Sequence, residues 1–305
     1  MIAGDPRDRP AARVLVNALA LRAAGDAAQV YLENVLALLP EVWPAAEVHV
    51  AARAGAAVPA GPAETHRFAV ASTAARLRAE FTALPRLVDR LRPDVFVSPN
   101  ESVPLRVDAP VVIVAQNLLY HCPGVGPLPF GPLRARARSR AQFAFYRRQF
   151  PRAYRRADAV VAVSEHAARE LERHAGLDRR KVSVVAYGAD RLPVRPRTAR
   201  AAARQILVVG SISHYKRLDV AVRALAVLRS RGHDYELVLA GGAWPGCGEA
   251  LERAARDAGV ASAVRSVGAV GADELADLLA AAAVSLSLSR CESFGIPIVE
   301  SMHAG

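Results

Sequence analysis

Lysine is almost missing from this chain. Only Lys181 and Lys216 occur among 40 basic residues, and arginine supplies the rest. Cysteine is scarce too. Cys122, Cys247 and Cys291 stand far apart, without metal-ligand or disulfide spacing, which points to idle thiols in a reducing cytoplasm. No apolar run is long enough to span a bilayer; the longest, around LLAAAAVSLSLS, is short and broken by serines. The opening MIAGDPRDRPAAR lacks the apolar core of a secretory signal, so export is not expected. Neither a GxGxxG fingerprint nor a Walker GK[ST] ending follows any strand.

What is present is a globular chain. Its hydrophobic fraction of 52% excludes a largely disordered protein, and 305 residues favour two domains over one. The net charge of +11 is uneven. Residues 201–305 carry 10 basic and 11 acidic side chains, leaving 30 basic and 18 acidic for residues 1–200. A coding bias toward alanine and arginine would explain a high pI, but it should act on both parts alike.

Short β-branched runs alternate with helical stretches from end to end, the pattern of parallel sheets wrapped by helices. RVLVNA (13–18), EVHVAA (47–52), a run near THRFAV (65–70), PDVFVSP, APVVIVAQN, ADAVVAVS and KVSVVAYG read as strands. AAQVYLENVLALLP, STAARLRAEFTALPRLVDRL, a long arginine-rich stretch and EHAARELERHAG read as helices, the last capped by Ser164. RLPVRPRTARAAAR (191–204) has two prolines, many arginines and no acid, and reads as a linker. The alternation restarts after it. The expected organisation is an α/β N-terminal domain over 1–190, the linker 191–204, and a partial C-terminal domain over 205–305.

Ligands of open parallel sheets bind beyond the carboxyl ends of the strands, so residues that follow strands carry the chemistry. In QILVVGSISHYKRLDV, Gly210 ends a strand, and Lys216 and Arg217 open the next helix. Helix N–H groups, the helix dipole and two cations there would hold an anion, most simply a diphosphate; a solvated helix turn is the plain alternative. In CESFGIPIVESMHAG, Ser293, Phe294, Gly295 and Ile296 form a turn ahead of a helix that begins at Pro297. Their amides would make a second anion cradle. Glu292 and Glu300, eight residues apart, flank it. Carboxylates bind phosphate poorly but accept well from sugar hydroxyls, so the pair fits a ligand with phosphates in the middle and hydroxyls at both ends. A surface glutamate and a helix-dipole partner are the alternative. In SVGAVGADEL, Gly268 ends another strand; Asp273 and Glu274 complement the dipole of the next helix.

These blocks resemble the retaining, nucleotide-sugar-dependent glycosyltransferases of group 1, also called glycosyltransferase family 4, along nearly the whole chain. The resemblance is densest from ILVVGSISHYKRLDV to the end, where Glu292 and Glu300 match the family's E-x7-E pattern. It implies the GT-B fold, two Rossmann-like α/β domains facing a cleft, with the second domain incomplete. It also implies that Glu292 contacts donor-sugar hydroxyls, Glu300 the nucleotide ribose, and Lys216 the diphosphate, with Arg217 as helper. Ser211 stands where many members have arginine. Gly25 is the single glycine of a loop that usually has more, facing donor phosphate or acceptor. Gln116 and Asn117 occupy a strand end where members often place a histidine over the sugar; Gln116 or His121 could serve there.

The expected activity is retaining transfer of a hexosyl or related sugar to a glycan, lipid-linked or other acceptor, by front-face attack, without a metal or other cofactor. A non-catalytic nucleotide-sugar-binding or scaffold protein is the alternative; a sugar-nucleotide epimerase of the same fold fits the blocks around Lys216 and Glu292 less well. Members continue beyond the equivalent of Gly305, so a fragment or truncated product with an uncovered sheet edge and weak stability is also expected. The stretch 133–158 holds nine arginines, one acid and five aromatics. It reads either as an ordinary exposed helix or as a face for an anionic membrane, making the protein peripheral on the inner surface; no nucleic-acid module accompanies it.

Overall fold

The computed structural model describes residues 10–21, 27–56, 58, 63–99, 101–104, 106–188, 192–196 and 204–305. In order, the elements are β1 (Ala12–Ala18), α1 (Ala27–Val42), β2 (Ala46–Arg53), β3 (Glu64–Phe68), α2 (Thr73–Leu91), β4 (Val95–Ser98), β5 (Val111–Ala115) and α3 (Leu133–Arg156). Then follow β6 (Ala159–Ala162), α4 (Glu165–Ala175), β7 (Val182–Val184), β8 (Gln205–Val209), α5 (Leu218–Ser230), β9 (Glu236–Ala240) and α6 (Cys247–Asp257). The chain closes with β10 (Val264–Gly268), α7 (Ala272–Ala281), β11 (Val284–Ser285) and α8 (Ile296–His303).

The chain divides into two compact units. Unit 1 takes residues 1–118 and 147–186; unit 2 takes 119–146 and 187–305. This differs from the expected division at 190 and 205, because residues 119–146 leave the first unit and pack with the second. Leu128 joins the core cluster of Leu218, Val222 and Leu237. The His214 ring bonds the Gly126 carbonyl at 2.9 Å, and Gly131 lies against the backbone of Pro245 and Gly246. Part of the expected linker also packs with unit 2. Leu192 is buried with Leu207, Leu275 and Leu279, and Arg195 bonds Asp277 at 3.0 Å and Asp273 at 2.6 Å. An arginine-rich, proline-containing stretch looks free in sequence because its acidic partners lie some 80 residues away.

Unit 1 holds a seven-stranded parallel sheet in the order β3-β2-β1-β4-β5-β6-β7. Parallel strands covered on both faces need continuous apolar runs, and β1 is buried without a break from Val14 to Ala18. Helix α4 shows why the helices end where they do. Ser164 caps it by accepting from the Ala167 N–H at 2.9 Å, and Gly176 closes it in the left-handed region. Unit 2 holds a four-stranded parallel sheet in the order β10-β9-β8-β11. Its edge strand β11 is shorter than the SLSLS run; after two paired residues only the Leu286 amide continues the ladder, to Leu207. Two Rossmann-like α/β units are thus in place.

Helix α3 corrects the expected aromatic and basic face. Phe143, Tyr146, Phe150 and Tyr154 are buried, whereas Arg134, Arg138, Arg140, Arg147, Arg148, Arg152, Arg155 and Arg156 are exposed. At helical spacing the aromatics pack inward and the arginines point to solvent, so only Phe145 and Leu133 add large apolar surface to the charged side.

The strand order of each sheet reverses beside its first strand, and such reversals are where α/β sheets open a binding crevice. In unit 1 the reversal lies between β1 and β4, and a buried polar tie spans it. Asn17 at the end of β1 donates from Nδ2 to the Ser102 carbonyl at 3.0 Å. Ser98 Oγ reaches the same carbonyl at 2.8 Å, and Ser102 Oγ donates to Glu80 at 2.7 Å, with Arg76 on the other Glu80 oxygen at 3.0 Å. Next to this tie, Glu101 is fully buried with a left-handed φ of 57°. Its Oε1 accepts from the amides of Gln116 at 2.8 Å and Asn117 at 2.9 Å, so one carboxyl fixes the loop that leaves β5. Burial raises Glu101 to about 8 despite these two donors.

Two predictions follow from these contacts. The folded protein holds the Glu101 proton up to about pH 8, while an unfolded glutamate releases it near 4.5. Folding therefore takes up a proton between these values, and stability is lost as pH rises through them, by at most about 1.4 kcal/mol per pH unit from this group. Glu101→Gln should flatten that slope relative to the parent in urea unfolding at pH 5, 6.5 and 8; Glu80, raised in the same direction by burial, contributes equally to both proteins. Separately, Gly246 has φ 75° and an added Cβ would lie 2.3 Å from the Gly131 nitrogen, while Gly268 has φ 77° with open space around it. Gly268→Ala should cost only the left-handed penalty of about 1–2 kcal/mol. Gly246→Ala should lower Tm clearly further.

Candidate functional site

In unit 2 the reversal lies between β8 and β11, and the two loops beyond these strands carry most of the candidate residues. After β8 the chain passes Gly210 at φ 128°, then Ser211, whose hydroxyl lies 3.4 Å from that of Ser213. Gly241 stands so close to the Gly210 carbonyl that a Cβ there would overlap it. The loop is further tied to the stretch after β9 by Ile212 N–H to Gly242 and Trp244 N–H to Ile212, both 2.9 Å. A single 3-10 turn, His214–Lys216, leads to Arg217 in the left-handed region, where α5 starts.

This framework aims Lys216 across the reversal. Its Nζ bonds Glu292 Oε1 at 2.5 Å, with the two side chains 14% and 30% exposed. The Lys216 stem passes over Gly210, where a Cβ would sit 3.5 Å from Cε, and its ammonium lies 5.7 Å from the Tyr215 ring centroid. The loop after β11 is fixed to the loop after β8 by the Arg290 N–H, which donates to the Tyr215 carbonyl at 2.9 Å. Two residues predicted from separate blocks, Lys216 and Glu292, are therefore in direct contact.

The turn ahead of α8 has Gly295 at φ 88° and ψ 47°, with Pro297 in the first helical turn. Among the described residues, no acceptor takes the N–H of Phe294, Gly295 or Ile296. Three free amides at a helix start suit an anion. The Phe294 ring packs edge-on to Tyr187 at 5.3 Å, while Ser293 continues the turn from Glu292. Glu300 is buried, the single such residue of α8.

Other candidates take different places. Arg217 is paired with Asp219, Nε to Oδ1 at 3.1 Å. Gln116 belongs to unit 1, where its Nε2 donates to the Pro99 carbonyl at 2.9 Å. Gly25 lies outside the described residues. His121 is buried in unit 2.

Several neighbours of the site were not legible in sequence. His214, Tyr215 and Trp244 form an aromatic group with centroids 5.6–6.0 Å apart. Burial holds His214 below the usual imidazole range, so the neutral ring donates from Nε2 to the Gly126 carbonyl. The thiols are not idle strangers either. Cys122 lies against Cys291 and donates to the Arg290 carbonyl at 3.4 Å; burial, together with Cys122, raises the Cys291 thiol. A separation of about 170 positions hid that pair; the aromatic triplet H-Y…W had no spacing signal at all.

Known proteins match these features. Residues 28–191, over half of the chain, match the family described as Glycosyltransferase Family 4, and residues 195–305 match Glycosyl transferases group 1. A D-inositol 3-phosphate glycosyltransferase of Streptomyces scabiei is 36% identical over 168 residues, which is 50% of this chain and 38% of that protein. One from Rhodococcus jostii is 34% identical over 163 residues, 48% of this chain and 36% of the relative. These matches thus span well under half the length of the curated relatives. Among solved structures, sucrose-phosphate synthase from Thermosynechococcus elongatus superposes with a TM-score of 0.69 at 16% identity, over 96% of this chain and 79% of that one. Anabaena HepE, solved with UDP and glucose, gives 0.62 at 16% identity over 96% and 78%. At such identity the structural likeness speaks for the fold. The chain belongs to glycosyltransferase family 4 and has the GT-B fold.

Proposed function

We propose that this protein transfers a sugar, with retention, from a nucleoside diphosphate sugar to a hydroxyl acceptor. The observation that carries the reading is the Lys216–Glu292 contact, with Glu292 in the same loop as the free amides of Phe294, Gly295 and Ile296. Without donor, the Glu292 carboxylate occupies the place beside the ammonium. When a diphosphate arrives, Lys216 turns to it, and Glu292, relieved of its partner, accepts from the sugar hydroxyls. The amides ahead of α8 take the remaining phosphate charge, and Glu300 takes the ribose. Ser211 lines the loop on the Lys216 side; Arg217, held by Asp219, tunes its field.

Departure of the nucleoside diphosphate develops negative charge. Preorganised donors of this kind contribute about 3–4 kcal/mol each in comparable oxyanion sites, without a metal at the phosphates. The departing phosphate then accepts the proton of the attacking hydroxyl on the same face. HepE was solved with UDP and glucose, and the sequence relatives are D-inositol 3-phosphate glycosyltransferases, which supports a nucleoside diphosphate sugar donor and a polyol, glycan or lipid-linked acceptor. No helix among the described residues is long and apolar enough to cross a membrane. The arginine side of α3 offers a purely electrostatic contact with anionic lipid.

Lys216→Ala and Glu292→Ala should each reduce donor turnover by about 100-fold or more. Added Mg2+ or Mn2+ should leave the parent rate unchanged. Near-parental rates in both variants would remove the assignment; protection of the parent against heat by UDP-sugars without turnover would favour a binding protein instead. Vesicles rich in phosphatidylglycerol should retain the protein at low salt and release it at high salt. Equal retention on neutral vesicles would contradict an electrostatic contact.

A further inference from the structure

The outer edge of the unit 1 sheet carries a pattern unrelated to the donor site. Both β2 and β3 contain E-x-H, as Glu47-Val48-His49 and Glu64-Thr65-His66. The strands run parallel with His49 opposite Glu64 and Ala51 opposite His66. Side chains two apart share a face, so all four acids and imidazoles project from the same side of the sheet.

They converge there. His49 Nδ1 and His66 Nε2 lie 3.0 Å apart. The Glu64 oxygens stand 3.6 Å from the first of these nitrogens and 3.7 Å from the second. Ligands placed tetrahedrally at about 2.0–2.1 Å from one ion are about 3.3–3.4 Å from each other. The two Glu64 distances run to different oxygens, Oε2 and Oε1, and one ligand atom from each of the three residues lies within 4.8 Å of the other two, so a turn of the exposed Glu64 side chain brings three ligands around one ion. The far nitrogen of His49 is already engaged. Its Nε2 lies 3.0 Å from Glu47 Oε1, and Arg13 holds the other Glu47 oxygen at 2.9 Å. A carboxylate on the far nitrogen selects the tautomer whose Nδ1 lone pair faces His66, the orienting arrangement that accompanies metal-ligating histidines.

We infer that His49, His66 and Glu64 form a binding site for a divalent late first-row metal ion, with Glu47 as the residue that positions His49. Two imidazoles and one carboxylate match zinc and its neighbours and disfavour magnesium and calcium, which prefer all-oxygen shells. The three protein ligands leave a coordination position for water. The ion would clamp β3, the edge strand, to β2 at the register seen here. An edge strand with unpaired backbone on its outer side gains most from such a clamp.

The test uses the chain without a histidine tag. Isothermal titration should give one zinc per chain, zinc should raise Tm, and magnesium should do neither. Glu47→Gln should keep the stoichiometry and weaken zinc about tenfold or more. His66→Ala should abolish the tight event; His66 is 14% exposed, and circular dichroism checks that this variant folds. X-ray absorption of zinc on the unaltered chain needs no variant and should show two imidazoles and no sulfur. Absence of a saturable zinc site, an unchanged isotherm in His66→Ala, or sulfur in the shell, which would indicate Cys122 and Cys291, would each overturn the assignment.

Discussion

The site rests on one ion pair stretched across a strand-order reversal. Lys216 leaves the loop after β8, Glu292 the loop after β11, and these strands are neighbours in the sheet while far apart in sequence. Parallel pairing brings the two loops to the same end, and the Arg290–Tyr215 backbone bond holds them there. An exposed ion pair is worth little. This one is partly shielded, with the ammonium 5.7 Å from the Tyr215 ring centroid, and among the described residues Lys216 is the one donor to its carboxylate. Such a pair does not chiefly stabilise the fold. On the proposed function, it keeps two groups of opposite charge ready for a ligand that carries both phosphate and hydroxyls.

The choice of lysine belongs to the same picture. In a chain that otherwise uses arginine, both lysines sit where a compact ammonium is needed. Lys181 donates to the carbonyls of Arg155 at 3.2 Å and Ala157 at 2.7 Å, closing the end of α3. Lys216 fits above Gly210, where a planar guanidinium would demand more room. The compositional bias toward arginine thus stops at two positions, and each has a geometric reason. Unit 1 solves the reversal differently. There a buried network through Asn17, Ser98, Ser102 and the Glu80–Arg76 pair spans it, and Glu101 fixes the loop beyond β5 from within.

The α/β alternation, the capping of α4 by Ser164 and the meeting of the Lys216 and Glu292 blocks were all legible in the sequence. The first two are written in local periodicity and strand–loop–helix order, the third in the family resemblance of its blocks. What escaped was non-local. The burial of Phe143, Tyr146 and Phe150 depends on which side of α3 faces protein, and charge counting over 133–158 cannot tell the sides apart. Arg195 looked like linker because Asp273 and Asp277 are distant in sequence. The twin E-x-H runs were visible as letters, but only the register of β2 against β3 makes them face each other. Pairing across strands, not propensity, carries that information.

The path of the backbone between units has its own consequence. The chain enters unit 2 at residue 119, returns to unit 1 at 147 and leaves it again at 187. No single cut separates the units into two continuous polypeptides, because residues 119–146 would stay attached to the wrong piece. A polypeptide started at 187 would lack Leu128 in its core and would leave the backbone of Gly246 facing empty space in place of Gly131. During synthesis, the earlier segment must therefore wait, unpacked, until the later sheet emerges to receive it.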